Sequence, residues 1–148
     1  MTLLGEWPGA HPDQVFGLVA ALLLGALIGV ERALRKHPAG LHTSALVALG
    51  SAAFVVAGTL VGDASGPARV AGQVVTGVGF LCAGVILHQG ATVRGLNTAA
   101  TVWCCSAVGV LAGLGLTAWA MLTALLVLIA NIVFHVCEHH LSGTTDDK

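Results

Sequence analysis

The stretch GVGFLCAGVILHQGATVRGLNTAA, residues 77–100, is a glycine-rich apolar segment followed by a short polar turn and the start of a second apolar segment. In soluble helices, each glycine costs about 1 kcal/mol relative to alanine. In a bilayer, small residues instead allow helices to pack backbone against backbone. Gly77, Gly79 and Gly84 therefore predict a crowded helix at the centre of a membrane bundle.

The composition is typical of an integral membrane protein. Hydrophobic residues make up 56% of the 148 residues, and charged residues make up only 9%, whereas soluble domains contain roughly 25%. Mean hydropathy is +0.91, and so apolar a surface would not stay soluble. The formal net charge of −1 gives no indication of a nucleic-acid partner.

Apolar segments divide the chain into candidate transmembrane helices, each near the roughly 20 residues needed to cross a bilayer. Turns rich in Pro and Gly separate the first four segments. Only Gly113–Gly115 separates the last two, so a four-helix alternative stays open. The predicted spans are Gln14–Leu34, Leu41–Val61, Val70–Leu87, Thr98–Leu114 and Leu116–Val136. The fold class is therefore an all-α integral membrane protein with about five transmembrane helices.

The distribution of basic residues predicts the orientation of the chain. Arg32, Arg35 and Lys36 flank the first turn and Arg94 lies in the third, whereas the second turn offers only Arg69. The positive-inside rule then places the first and third turns in the cytoplasm. We expect a short extracytoplasmic tail at residues 1–13, a transmembrane domain at 14–137 and a short, mobile cytoplasmic tail at 138–148.

The sequence also contains a candidate internal repeat. Gly40–Thr43 (GLHT) aligns with Gly95–Thr98 (GLNT), and matches continue on both sides at the same shift. A duplicated two-helix unit would give parallel repeats, and chance matching in a sequence rich in Ala, Gly and Val is the alternative. Glu31 aligns with Ile86, so only one half carries an acid.

Glu31 is the most informative polar residue, because it is an acid near the end of an apolar segment. It could form an ordinary i,i+4 ion pair with Arg35. It could instead be a buried carboxylate that binds a cation, a proton or a partner arginine. The first and third turns share a side, which predicts a cytoplasmic cluster for an anionic lipid or phosphate, with ordinary positive-inside flanking as the alternative. Its members would be Glu31, Arg32, Arg35, His42 and Arg94.

Helix ends and helix contacts give further expectations. Thr43 should cap the second helix, and Asn97 or Thr98 should cap the fourth. Two small-residue motifs, Gly25-x-x-x-Gly29 and Gly109-x-x-x-Gly113, are typical of helix packing in membranes. Two tryptophans lie in the last two spans: Trp119 is expected in an aromatic belt, and Trp103 in either the belt or the core.

Metal, redox and catalytic sites find little support in the sequence. The C-terminal residues His135, Glu138, His139 and His140 resemble a zinc-binding helix, but no third ligand at a set spacing completes a site. We expect interfacial histidines instead. The cysteines are expected to pack as small hydrophobes, with a metal or redox role as the alternative; they are Cys82, Cys104, Cys105 and Cys137. No cofactor is predicted, and no nucleophile–base spacing indicates an enzyme.

Glycine and polar residues also form a pattern that covers most of the chain. Its members are Gly25, Gly29, Glu31, Arg32, Gly40, Leu41, Thr43, Gly50, Arg69, Gln73–Val75, Gly77, Gly79–Leu81, Ala83, Gly84, Gly90, Gly95, Leu96, Thr98–Ala100, Trp103 and Gly109. This pattern resembles the membrane domain of the MgtC/SapB family of bacterial inner-membrane proteins. Three positions depart from it: His42 stands for an Arg, Cys82 for a Gly, and Gly66 for an Asp that Asp63 could replace.

The resemblance implies links to magnesium limitation, acid resistance and virulence. It assigns polar motif roles to Glu31, Arg32, Thr43, Arg69, Arg94 and Thr98, and helix-packing roles to Gly25, Gly29, Gly77, Gly79, Phe80, Gly84, Gly95, Trp103 and Gly109. It covers the membrane domain alone, so no role of the ACT-like domain that follows in many members is implied. One implied mode of action is inhibition of the ATP synthase through contacts in the membrane.

Two functional hypotheses follow. The first is a non-enzymatic regulator that binds membrane partners, with self-association as a further option. The second is a transporter or channel for a cation or small solute, although one intramembrane acid is poor equipment for magnesium. A polar path from Glu31 toward Asp63 would favour transport, and closure of that path by Phe54, Phe80 and Leu81 would argue against it.

Overall fold

Apolar helices dominate the computed structural model, which describes the backbone of residues 11–37, 39–61, 63–89 and 92–142 and the side chains of these except 87–89, 92 and 137–142. The elements are α1 Pro12–Leu34, α2 Leu41–Leu60, α3 Gly66–Val85, β1 Leu87–Gln89, β2 Thr92–Arg94, α4 Leu96–Gly113 and α5 Thr117–Ser142. Within this part of the chain, five helices are long and apolar enough to cross a membrane. The chain is thus an all-α, multi-pass membrane protein, as predicted.

The boundary between α4 and α5 is a tight turn, so the four-helix alternative is wrong. Gly115 adopts a φ of +78°, a conformation that glycine tolerates without strain. The Leu116 amide donates to the Leu111 carbonyl at 2.9 Å, and the Gly115 amide donates to Ala112 at 3.0 Å. These paired bonds form a Schellman motif, which satisfies the last carbonyls of α4.

Two helices, α3 and α5, have an end that differs from the expected one by more than two residues. Helix α3 begins at Gly66 rather than Val70, because Pro67 fits the first turn, where an amide hydrogen has no helical partner. It ends at Val85, because β1 and β2 form a short antiparallel hairpin before α4. Helix α5 continues through residues 138–142, where a mobile tail was expected. Residues 143–148 lie outside the described part of the chain.

Helix α2 is packed closely by α1 on one side and α4 on the other. A methyl group on Gly25 would lie 2.7 Å from the Ser44 carbonyl oxygen, and one on Gly109 would lie 2.1 Å from that of Ala48. Only glycine allows helix backbones to approach this closely. The centre of the bundle is therefore the α1–α2–α4 contact.

The expectation that α3 is the crowded central helix is wrong for the single chain. Its packed face is formed by Val74, Val78 and Cys82, which recur at i, i+4 and i+8. The glycines at 77, 79 and 84 fall outside this face, and a methyl group on any of them would meet no atom within 4 Å. Helix α3 is thus a peripheral helix with an open surface.

The starts of the helices agree with the aligned segments of the candidate repeat. Helix α2 begins at Leu41 and α4 begins at Leu96, and these two leucines are equivalent in the alignment of Gly40–Thr43 with Gly95–Thr98. Each of these helices packs against the helix that precedes it.

Candidate functional site: a polar cluster at one end of the bundle

Short connections make consecutive helices antiparallel. The C-terminal ends of α1 and α5 therefore lie beside the N-terminal end of α4. Polar side chains from these three helices meet there. We call this set the polar cluster; it comprises Glu31, Arg32, Arg35, Thr98, Thr101 and Asn131.

Arg32 joins α1 to α4 inside the bundle. Its side chain is 2% exposed, and Nη2 donates to Thr98 Oγ1 at 2.6 Å. Its Nε has no hydrogen-bond partner within the described residues. A buried cation is costly to desolvate, so the Thr98 hydroxyl is an important partner for this guanidinium.

Neither expected threonine cap forms. Helix α4 begins at Leu96, and its N-cap is Gly95, which has a φ of +91° and makes no side-chain cap bond. Thr98 is one turn too deep to cap, and its hydroxyl accepts from Arg32 instead. The N-cap of α2 is Gly40, again without a side-chain bond, and Thr43 is exposed.

Glu31 combines features of both interpretations of its sequence context. It forms the i,i+4 ion pair with Arg35, and its side chain is only 12% exposed. Its Oε2 also accepts a hydrogen bond from Asn131 Nδ2 at 3.4 Å. Thr101 Oγ1 lies 3.5 Å from Asn131 Oδ1 and donates to the Asn97 carbonyl at 2.9 Å. Glu31 thereby connects α1 with α5 and, through Asn131, with α4.

Asn131 is the member of this cluster that the sequence analysis missed. It is the only side-chain amide of α5 within residues 117–136. Amides in transmembrane helices usually face other helices and bond to them. That rule, applied to α5, would have identified it.

Two other residues expected in the cluster do not join it. His42 and Arg94 are exposed, and their side chains make no hydrogen bond or ion pair within the part of the chain that the structure describes. His37 lies beyond the end of α1 and is partly buried. Burial lowers the pKa of His37, and the positive charge of Arg32 lowers it further.

A second polar group lies at the opposite end of the bundle. Arg69 Nη2 pairs with Asp63 Oδ2 at 2.7 Å, so Asp63 does supply a carboxylate to this arginine. The Ser65 amide donates to Asp63 Oδ1 at 3.0 Å. This bond, together with the Ser65 hydroxyl and Arg69, lowers the pKa of the Asp63 carboxyl.

The bundle is closed between its two polar ends. Its interior cluster of small apolar side chains, each 0–1% exposed, comprises Ala21, Ile28, Ala52, Cys105, Val108, Ala112, Ala120 and Ala124. Buried serines interrupt this core, and Ser106 donates to the carbonyl of Trp103 in its own helix at 2.8 Å. No charged side chain of the described residues lies between the two ends.

The three large residues considered as closing a polar path from Glu31 toward Asp63 do not lie inside the bundle. Phe54, Phe80 and Leu81 are 64%, 81% and 54% exposed, so they face outward from the helices. Closure comes instead from small residues, because α1, α2 and α4 approach too closely for large side chains to fit between them. Trp103 and Trp119 are also on the outer surface.

The described residues contain no group of three or more His, Cys, Asp and Glu placed to hold a metal. Of the C-terminal candidates, the side chains of Glu138, His139 and His140 lie outside the described part, as does that of Cys137. Cys82 Sγ donates to the Ala99 carbonyl at 3.2 Å.

Comparison with known proteins identifies relatives along most of the chain. The sequence model of the MgtC family matches residues 18–140. An uncharacterized protein of Synechocystis is 49% identical over 81% of this chain and 51% of its own length. Protein MgtC of Salmonella typhimurium is 50% identical over 80% of this chain and 51% of its own length. Protein MgtC of Brucella abortus is 54% identical over 77% of this chain and 48% of its own length.

The chain thus spans about half the length of the curated relatives it matches. No solved structure matches it. The family indicated by the glycine and polar pattern is the family that the comparison finds.

Proposed function

Because the chain belongs to the MgtC family, we propose that it is a non-enzymatic regulator in the bacterial inner membrane. It acts by binding membrane partners through helix faces, under magnesium limitation, acid stress or during infection. The first candidate partner is the ATP synthase, which the family resemblance suggested. The N-terminus of the chain is extracytoplasmic and its C-terminus is cytoplasmic, because Arg35, Lys36 and Arg94 then obey the positive-inside rule.

The observation that carries this proposal is the closed centre of the bundle. A transporter needs a binding site near the middle of the membrane and access to it from both sides. Here a methyl group on Gly109 or Gly113 would already collide with the α2 backbone. Large apolar surfaces on α3 and α5 instead face outward, as binding through helix faces requires.

The polar cluster supports this function by fixing the arrangement of the outward faces. Glu31 is bonded to α5 through Asn131, and Arg32 is bonded to α4 through Thr98. Neutralising Glu31 would leave α5 held mainly by apolar packing, which is weakly directional in lipid. We therefore expect Glu31 to determine the shape of the surface that a partner recognises.

Complementation tests the proposal. Glu31→Ala, expressed in a host that lacks the chromosomal gene, should accumulate in the membrane normally and fail to restore growth at low magnesium. Asp13→Ala is the matched control, because Asp13 is an exposed acid at the other end of α1, and it should restore growth. Normal growth with Glu31→Ala would contradict the proposal.

The second candidate function remains a transporter or channel. One observation favours it: the buried guanidinium of Arg32 has an Nε without a partner within the described residues, as a site that accepts an anionic group would have. Flux measurements distinguish it from a regulator.

A further inference from the structure

A lateral groove opens between α2 and α3 toward the surface that the bilayer would cover. Its volume is about 690 Å³, and its walls include Leu46, Gly50 and Phe54 on α2 and Gln73, Gly77 and Leu81 on α3. We propose that this groove binds one transmembrane helix of another membrane protein. That helix would have small residues on its contact face and a side chain that hydrogen-bonds the Gln73 amide.

Gln73 indicates what kind of occupant the groove takes. It lies seven residues into α3, which places it about 10 Å from the start of the span at 1.5 Å per residue. Its side chain is exposed and makes no hydrogen bond to any other described residue. Its neighbour Thr76 donates to the Gly72 carbonyl at 3.2 Å. An acyl chain has no donor or acceptor for the Gln73 amide, whereas a helix can supply one.

The walls of the groove are also suited to a helix backbone. Gly50 lies on one wall and Gly77 on the other, and a methyl group on either would meet no atom within 4 Å. At Gly25 and Gly109 the space above the glycine is filled by α2. No atom lies within 4 Å of a methyl group placed on either glycine of the groove, so a helix from outside the chain has room to approach their backbones closely.

A second copy of the chain fits this surface less well than a different helix. A two-fold dimer places the same patch of both subunits in contact. Two facing grooves would enclose a void at the site where close packing is needed. A single helix with a convex, small-residue ridge fills the groove. The inference rests on the proposed function, because it names the surface through which a membrane partner binds.

The test uses a designed probe helix, because it isolates the chemistry of the groove. The probe is a fluorescent 20-residue span of Leu and Ala with one Gly-x-x-x-Gly motif and an Asn one third of the way across. A matched probe has Leu in place of Asn. Energy transfer from the labelled full chain in phosphatidylcholine liposomes measures binding at several probe-to-lipid ratios.

The Asn probe should bind about three- to ten-fold more tightly than the Leu probe, the range expected from one interhelical hydrogen bond. Gln73→Leu should abolish this difference. Gly77→Leu, which fills the groove, should abolish binding of both probes. Gly79→Leu is the matched control, because Gly79 also faces open space but does not line the groove, and it should bind normally.

Three results would overturn the inference. The first is equal binding of both probes by the unaltered chain, and the second is normal probe binding by Gly77→Leu. The third is that neither probe binds, while energy transfer occurs between two labelled copies of the chain and is abolished by Gly77→Leu. The last result would identify a second copy as the occupant. Failure here is separable from failure of the proposed function. Defective complementation by Glu31→Ala with normal complementation by Gly77→Leu would retain the regulator and reject the groove.

Discussion

Replacing Gly109 with alanine adds one methyl group at the tightest contact that any glycine makes in the described part of the chain. That methyl group would lie 2.1 Å from the Ala48 carbonyl oxygen and 2.8 Å from its carbon. Both atoms belong to the backbone of α2, which cannot move aside as a flexible side chain could. Helix α4 must therefore shift away from α2 along much of their contact.

The magnitude follows from two opposing effects. Overpacking in a tight core lowers the free energy of unfolding by about 3 kcal/mol. The higher helix propensity of Ala relative to Gly raises it by about 1 kcal/mol. Gly109→Ala should thus lower the free energy of unfolding by about 2 kcal/mol. Gly79→Ala is the matched control, because it faces open space and keeps only the favourable propensity change. The two variants should differ by about 3 kcal/mol.

Equilibrium unfolding in mixed micelles, titrated with sodium dodecyl sulfate and followed by circular dichroism, measures this difference. Both variants share the same composition, so a common effect of detergent cancels between them. If Gly109→Ala were as stable as Gly79→Ala, α2 and α4 would not be in backbone contact, and the closed bundle would be refuted.

Three further predictions concern the polar cluster and the helix ends. Thr98→Val should lower the free energy of unfolding by about 2 kcal/mol, because the buried guanidinium of Arg32 loses its hydrogen-bond acceptor; the same micelle titration measures it. Gly95→Ala should cost about 2 kcal/mol or more in that titration, since φ is +91° and a methyl group would lie 2.3 Å from the Val85 carbonyl oxygen. The third concerns pH. Burial and Arg32 hold the pKa of His37 below its usual value, so the unfolded chain binds the proton more readily. The free energy of unfolding is therefore unaffected by His37 above about pH 6.5 and falls as the pH drops below that value, because protonation then favours the unfolded chain. His37→Gln should reduce the fall in midpoint temperature between pH 7.5 and 5.5.

Thr98→Val and His37→Gln each have a matched control that replaces a residue of the same type elsewhere in the bundle. Thr76→Val removes a hydroxyl that is exposed and bonds only within its own helix, so it should change stability little. His42→Gln removes an exposed histidine at the same end of the bundle and controls for the loss of one imidazole in the comparison of midpoint temperatures. Equal effects of the control and the test variant would contradict the assigned contact.

The helices were predictable because their signals are local. Apolar runs long enough to span a bilayer, broken by Pro and Gly, specify where each helix lies. Even the weakest break was real, because Gly115 can adopt the positive φ that a Schellman turn needs. The hairpin before α4 was missed, because its strands are only three residues long and lack a clear alternating pattern.

The arrangement of the helices was harder to predict because glycine is ambiguous. Gly109 and Gly77 look alike in sequence, but one contacts α2 and the other faces open space. What distinguishes them is whether neighbouring residues on the same face are packed, a tertiary property. The role of Thr98 was misassigned for a related reason: its position near a helix start suggested a cap, whereas its partner Arg32 is distant in the chain.

The most direct test of a closed, regulatory bundle is ion flux through the purified protein in sealed liposomes. Magnesium and proton uptake would be measured with entrapped indicators, for the unaltered chain and for Glu31→Gln. We predict no flux above that of empty liposomes for either protein, because no charged side chain of the described residues lies between the polar ends and small apolar residues fill the centre. Flux through the unaltered chain that disappears in Glu31→Gln would contradict this account and identify a transporter with Glu31 in its pathway.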